Sequence, residues 1–511
     1  MLQCAVRQLV VVAAALGAAW WTPIQAAPRP VTPLHDQLQG EYEARHRDFE
    51  KRVLSLATEA ESFDAAEAQR LRSLAKTPDD ASLQLLSLPN TSVPEPPREL
   101  PEAHRNLLLR LRSLEADYAN DLYKLGIRAK AKVETMSVAR RLILEAVYRN
   151  PDHEPARALI GYVKFKNEWM TPFRREMLKR GNVWHDEFGW VRSEDLPKYL
   201  AGEERTPDGR WLKKDRVAAI RSDFANAWEV NSEHFHVRCN VSLEKAVALS
   251  VQLERFHEYF LREFADVFMT STQQMKALFP GGSVNADRYD VHYFRNRNEF
   301  KEWLIMKQPE AAFSDGLYLK GIAYFFDRPG EEGKVAQTMY HEITHQILTE
   351  SQTKPVKVDN WTDGDFWLVE GLACYLESFR PEGRGGSVGD PRHVRIEWAR
   401  RFAIEEGFYI PLENFTAMNQ HDFQCANMAN GPARVDRLQH HYAQAAGVTN
   451  FFMHYRNGQY RDALITYLAQ IYSADQRMRK NNETLADLTG VPFKELDRQY
   501  IEYVRGLETG G

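Results

Sequence analysis

Cysteine is scarce: four residues in a chain of 511. A disulfide framework is excluded, and a packed apolar core must hold the fold. Cys4 precedes an N-terminal apolar run, so at most one disulfide is available among Cys239, Cys374 and Cys425 once that run is removed. Their separations match no zinc knuckle and no redox pair, which leaves them as small buried hydrophobes. No cysteine ends the apolar run, where a lipid attachment would need one. Charge of one sign is also lacking. With 66 basic against 71 acidic residues the net charge is -5, so neither nucleic acid nor an acidic membrane surface has a general reason to bind. Long apolar stretches are absent after the first, Leu9–Trp21, and that one falls short of the ~20 residues of a spanning helix. Arg7 ahead of it and Ala26-Ala27 behind it give the layout of a secretory signal peptide over residues 1–27. The expectation is a secreted or periplasmic protein without stable membrane insertion; an uncleaved anchor is the other reading.

What is present is ordinary globular composition, 43% hydrophobic and 27% charged, over a length that suits several domains. Residues 28–100 hold charged amphipathic helices from His35 to Leu74, followed by the stretch "LPNTSVPEPPRELPEA", whose five prolines predict an extended linker. Residues 101–165 read as helical. Within them "SVARRLILEAVYRNPDHEPARALIGYVKF" resembles a tetratricopeptide-like helical hairpin, a type of unit that serves either partner contact or plain packing. In residues 166–228, Trp169, Trp190 and Trp211 recur at 21-residue intervals. This spacing predicts three short units that stack their tryptophans as a small core, or present them to a glycan or peptide. From Glu233 the pattern changes to alternating strands and helices, and beyond residue 350 it is almost wholly helical. Residues 229–511 are therefore one α+β domain with a helical C-terminal part.

The segment "TMYHEITHQILTE", residues 338 to 350, carries the chemistry. Val335, Met339, Ile343 and Ile347 repeat at helical spacing, so His341 and His345 share a face one turn apart. Two imidazoles so placed reach one tetrahedral Zn2+ at roughly 2.0–2.1 Å each. Glu342, turned about 100° away, stays out of the ligand set and can act as a general base toward water. A Gly and third His soon after the motif, as metzincins have, are absent. Instead "DFWLVEGLACYLES" offers Glu370, 25 positions past His345, in an otherwise apolar helix. A lone carboxylate there is costly unless a metal pairs it. Gly371 beside it predicts close approach of the two helices.

His-Glu-x-x-His followed by "WLVEGLACYL" resembles the gluzincin clan of zinc peptidases, across roughly residues 230 to 505. Taken with the signal peptide and the tryptophan region, the chain resembles a peptidase-MA-like gluzincin family common in planctomycete bacteria. The resemblance implies a zincin-like fold with a small mixed sheet, one Zn2+ on His341, His345 and Glu370, and Glu342 as base. It implies Tyr442, in "HHYAQAAGVTNFF", as donor to the oxyanion, although Gln444-Ala445 replace the Lys-Gly that follows such a tyrosine in aminopeptidases. His421, His440 and His441 are rival donors. A peptide or protein substrate would pair along an open strand through Gly321, Ile322, Ala323 and Tyr324. Asp363, Asp365 and Glu377 are the carboxylates available to orient the histidines. The competing expectation is a non-catalytic zinc-containing scaffold that meets a protein partner through its N-terminal helices and tryptophan units.

Overall fold

The computed structural model describes residues 33–78, 83, 88–131, 135–264, 278–279, 288–305, 314–350, 364–382, 385–472 and 482–507. The expected signal peptide lies outside the described residues. The amphipathic stretch near the N-terminus forms two helices, Pro33–Ala60 and Ala65–Ala75. They separate at Asp64, whose carboxylate caps the second by accepting from Glu67 N at 2.9 Å. The helix Glu102–Lys130 buries Leu107, Leu111, Leu114, Tyr118, Leu122 and Leu125, a three-and-four spacing that keeps one apolar face inward. Phe49 of the first helix stacks on Tyr118, ring centroids 4.3 Å apart.

The proline-rich segment is extended as expected, and it is tied down. Asn90 O accepts from Trp169 N at 2.7 Å, and Thr91 bridges Glu168. The tetratricopeptide-like hairpin needs correction. Met136–Arg149 is its first helix, but the second runs only over Glu154–Leu159 and stops before Gly161, at φ 86°. Residues beyond it begin a strand instead.

Three hairpins follow, each succeeded by a helix. They are β1 (Val163–Phe165) with β2 (Glu168–Met170) before Pro172–Lys179, then β3 (Asn182–His185) with β4 (Gly189–Arg192) before Leu196–Leu200. The third is β5 (Glu203–Arg205) with β6 (Trp211–Lys213) before Lys214–Arg221. Gly181 and Gly202 accept from Ser193 N at 2.9 Å and Lys214 N at 3.0 Å, so the second and third hairpins close alike. Trp169, Trp190 and Trp211 all lie on the second strand of a hairpin. Their contact is relayed rather than tryptophan on tryptophan. Phe173 of the first helix meets Trp190 edge-on at 6.3 Å, and Tyr199 of the second meets Trp211 edge-on at 5.1 Å.

The central sheet comprises β7 (Trp228–Asn231), β8 (Phe235–Cys239), β9 (Tyr289–Phe294), β10 (Leu317–Leu319) and β11 (Ile322–Phe326), in the order β10-β11-β9-β8-β7. The two inner pairings are parallel and the two outer ones antiparallel, so the sheet is small and mixed. The stretch expected as one open strand, "LYLKGIAYFF", is a hairpin. Lys320 (φ 50°) and Gly321 (φ 83°) form its tight turn. Ile322, Ala323 and Tyr324 pair with Leu319, Tyr318 and Leu317 on one side and with Asp290, Val291 and His292 on the other. Their backbone groups are spoken for, so the expectation of an open strand there is corrected: among the described residues the sheet's edge strands are β10 and β7.

The motif helix, Glu332–Glu350, lies against this sheet, with Gln346 Nε2 donating to Asp290 O and Gly321 O at 3.2 Å each. Beyond it come the helices Phe366–Leu376, Val394–Ile404, Pro432–His454, Arg461–Ile471 and Phe493–Gly506, with one small hairpin, β12 (Arg380–Glu382) and β13 (Gly385–Ser387), at the glycine-rich break. One continuous apolar core extends from Leu38 to Val504, and a second cluster around Phe224, Phe294 and Phe300 accompanies the sheet. Cys239, Cys374 and Cys425 are free and buried. Among the described residues no helix is long and apolar enough to cross a membrane. The architecture is mixed α+β, as the pattern predicted.

Candidate metal centre

Every residue of the motif helix from Met339 to Leu348 is buried, polar ones included. Tyr340 anchors its outer side, stacked on Phe256 at 4.8 Å. His341, Glu342 and His345 therefore face protein rather than water, and each needs a partner. The helix Phe366–Leu376 brings Glu370, fully buried, to the histidines. His341 Nε2 lies 3.2 Å from His345 Nε2, and Glu370 Oε2 lies 3.4 Å and 3.8 Å from these two nitrogens. Ligands at ~2.0–2.1 Å from a tetrahedral ion stand roughly 3.3–3.4 Å apart, which these separations match. Among the described residues neither oxygen of Glu370 has a hydrogen-bond donor. A buried carboxylate without one costs several kcal/mol on the order of magnitude usual for ions, so the donor set fits a divalent cation by chemistry as well as spacing.

Electrostatics point the same way. Burial pushes the His345 imidazole down to about 4, leaving it neutral with a lone pair to give. His341 goes the other way: burial opposes its charge, but Cys374, Glu370 and Glu377 raise it well above the ordinary value. The negative charge gathered around His341 is what a cation held between the ligands would answer.

Glu342 lies outside the trio. Its Oε2 accepts from Tyr318 N at 2.9 Å, and its Oε1 has no partner among the described residues. In a two-residue hairpin the residue next to the closing pair turns its N–H and C=O outward, so Tyr318 is the residue of edge strand β10 that can reach the base. Gly316 makes room for this contact: a Cβ there would stand 2.6 Å from Thr338 Cγ2 and 3.2 Å from Glu342 Cγ. Burial first, and then the nearby Glu370, push the Glu342 carboxyl up to about 7.

Of the three carboxylates available to orient a histidine, Glu377 does so, accepting from His341 Nδ1 at 2.9 Å. Asp365 instead takes Tyr467 OH and, at 3.1 Å, Asn482 Nδ2. Asp363 lies outside the described residues. Behind Glu377 stands Arg395, donating through Nε to Oε2 at 3.0 Å and through Nη2 to Oε1 at 3.2 Å. Sequence reasoning missed Arg395 because "RHVRIEWARR" looks like any solvated helix start.

Tyr442, on Pro432–His454, is buried, with the Arg395 guanidinium 5.8 Å from its ring centroid. Burial, then the charge of Glu370, holds its phenol protonated, and Glu342 adds to the effect. The rival histidines have other work. His441 is bound to Phe423 O at 2.8 Å, His440 to Asp436 O at 2.6 Å, and His421 is exposed beside Asp422. Gln444 exchanges two hydrogen bonds with the Ile410 backbone, at 2.6 and 3.0 Å. Gly371 also departs from expectation. A Cβ there would meet Ala445 O at 2.9 Å and Thr449 Oγ1 at 2.8 Å, so the helix it lets in is Pro432–His454 and not the motif helix.

A second trio, His234, Glu254 and His257, is close enough to share an ion. There, however, Glu254 already receives His234 N at 2.6 Å and His234 Nδ1 at 2.7 Å, so its charge is answered within the protein. Comparison of the chain with protein-family models, with curated proteins and with solved structures finds no match.

Proposed function

We propose that the protein is a zinc-dependent peptidase with a zincin-like, gluzincin-type catalytic part, exported through its N-terminal segment. The observation that carries this reading is the meeting of His341, His345 and an undonated, fully buried Glu370, beside a Glu342 with one oxygen anchored and one free. His341, His345 and Glu370 would hold the ion. Zinc bound there supplies Lewis acidity and lowers the pKa of water toward ~7. The protein's own groups do the rest. Tyr318 N–H fixes one oxygen of Glu342, and the other takes the proton of the attacking water and delivers it to the leaving amine. Tyr442, kept protonated by its surroundings, donates to the oxygen on which charge develops. An extended peptide would lie along β10 and donate to the outward carbonyl of Tyr318, whose N–H is held by Glu342, rather than pair with residues 321 to 324.

The scaffold reading has less behind it. A structural zinc site is normally closed by four protein ligands, whereas the group that fits an ion here has three, and a scaffold has no use for a base. The three hairpin–helix units are read as a tryptophan-repeat module beside the catalytic part.

The test is metal content together with cleavage of an unstructured protein, comparing wild type with Glu342→Gln. We expect stoichiometric zinc in both and a loss of cleavage of at least about 100-fold in the variant, the scale of a removed general base. Equal cleavage by the two proteins would overturn the peptidase reading, and zinc without cleavage in either would favour the scaffold.

A further inference from the structure

We infer that Arg395 is a positioning residue of the metal centre, acting through Glu377 to fix the tautomer and orientation of His341. The inference rests on the zinc-peptidase reading and deepens it. One helical turn past Glu370, on the face toward the motif helix, the chain has a thiol, Cys374, close to His341. A thiol is a weak acceptor. The carboxylate that receives His341 Nδ1 comes instead from Glu377, at the C-terminal cap of Phe366–Leu376. That is the wrong helix end for a negative charge.

Arg395 is equally misplaced by its own helix, since it is the second residue of Val394–Ile404, where the dipole disfavours a cation. Both side chains are nearly out of water, at 4% and 12% exposure. Neither local helix chemistry nor solvation accounts for the pair; their two-pronged contact does. Glu377 Oε1 receives both His341 Nδ1 and Arg395 Nη2, and Oε2 receives Arg395 Nε. The carboxylate is thereby clamped from two sides and held in place as the acceptor for His341 Nδ1. Nε2 then turns its lone pair toward His345 and Glu370. Without the arginine, Glu377 would be a buried carboxylate at an unfavourable helix end, free to rotate away from His341.

The test uses the full chain: Zn2+ affinity by competition with a chromophoric chelator, and the visible spectrum of the Co2+-substituted protein. The set is wild type, Arg395→Met, Arg395→Lys, Glu377→Gln and the Glu377→Gln/Arg395→Met double variant. Arg395→Met should weaken zinc binding ~10–100-fold, the range for outer partners of a ligand, and should shift the cobalt bands. Arg395→Lys, which keeps the charge but loses the two-pronged grip, should fall between. In the Glu377→Gln background, adding Arg395→Met should weaken binding little further.

Zinc affinity of Arg395→Met within about two-fold of wild type with unchanged cobalt bands overturns the proposal, as do fully additive losses in the double variant. If Arg395→Met fails to fold by circular dichroism, Arg395→Lys decides by the same comparison of affinity and spectrum. A wild-type protein that takes up no zinc would instead remove the peptidase reading on which the inference stands.

Discussion

Two groupings of imidazole and carboxylate, one fully buried and one partly so, differ in how their oxygens are used. Glu370 has no donor for either oxygen, whereas Glu254 spends both on His234. The second grouping makes a prediction that needs no metal. Burial opposes the charge on His234, but Glu254 overcomes it and raises the imidazole to about 8. Burial likewise opposes the charge on Glu254, and His234 draws its carboxyl down to about 2. His257, stacked on His234 at 4.2 Å, is driven well below its ordinary value by burial and by His234, so it stays neutral. The raised histidine contributes stability that is complete below its ordinary value of 6.5 and fades as pH rises through about 8. The depressed glutamate contributes stability that is complete above 4.5 and fades as pH falls toward about 2. His234→Asn should therefore lower Tm most between about pH 4.5 and 6.5, with the gap closing above pH 8. Thermal melts across that range check it, and a gap indifferent to pH would discard the ion pair as its source. The same contrast explains what was readable residue by residue. A glutamate in the apolar run "FWLVEGLACYL" advertises its need for a partner. An arginine in a charged stretch, such as Arg395, advertises nothing.

At the scale of elements, the centre depends on how closely helices approach. Gly371 follows Glu370 and lets Phe366–Leu376 lie directly on Pro432–His454. The contacts that an added Cβ would meet include the Ala445 carbonyl, which cannot swing aside as a side-chain tip can. Gly371→Ala should cost about 1–3 kcal/mol, the usual price of overpacking, and should loosen zinc binding because Glu370 moves with its helix. Chemical denaturation and chelator competition measure the two effects, and wild-type values in both would refute the close-approach argument. Elements were legible where periodicity ran long, as in the motif helix and Leu243–Phe264. The hairpin Leu317–Phe326 escaped because its turn is Lys320-Gly321 inside an unbroken apolar run, without the Asn-Gly or Asp-Gly signature. For the tetratricopeptide-like hairpin the expectation ran too far: both helices form, but it carried the second through Phe165, past the point where Gly161 turns the chain into β1.

For the whole molecule, the segments that looked separable share one core. Arg140 of the N-terminal helices donates to Leu278 O at 2.7 Å, and Arg288 lies over the Phe173 ring at 5.3 Å. A Cβ on Gly189 would touch Val247 Cγ2 at 3.1 Å, so the second hairpin lies directly against the helix that follows β8. A chain of residues 229–511 alone should expose apolar surface and melt without a sharp transition. Dye binding and calorimetry beside the full chain test this. A truncated protein that melts cooperatively with unchanged zinc affinity would show that residues 229–511 stand alone.

By itself the sequence determined what depends on neighbours a few residues apart: two imidazoles on one helical face, a glutamate turned away from them, a carboxylate in an apolar helix in want of a partner, and three regularly spaced tryptophans. Those follow from helical geometry and from the cost of burying charge, both local matters. Only the tertiary structure decided that Glu377 and not Asp365 holds His341, that Arg395 stands behind it, that β10 is the edge strand beside Glu342, and that Gly371 admits the Pro432–His454 helix. Each of these is a choice among chemically equivalent groups far apart along the chain, and the packing of the common core makes that choice.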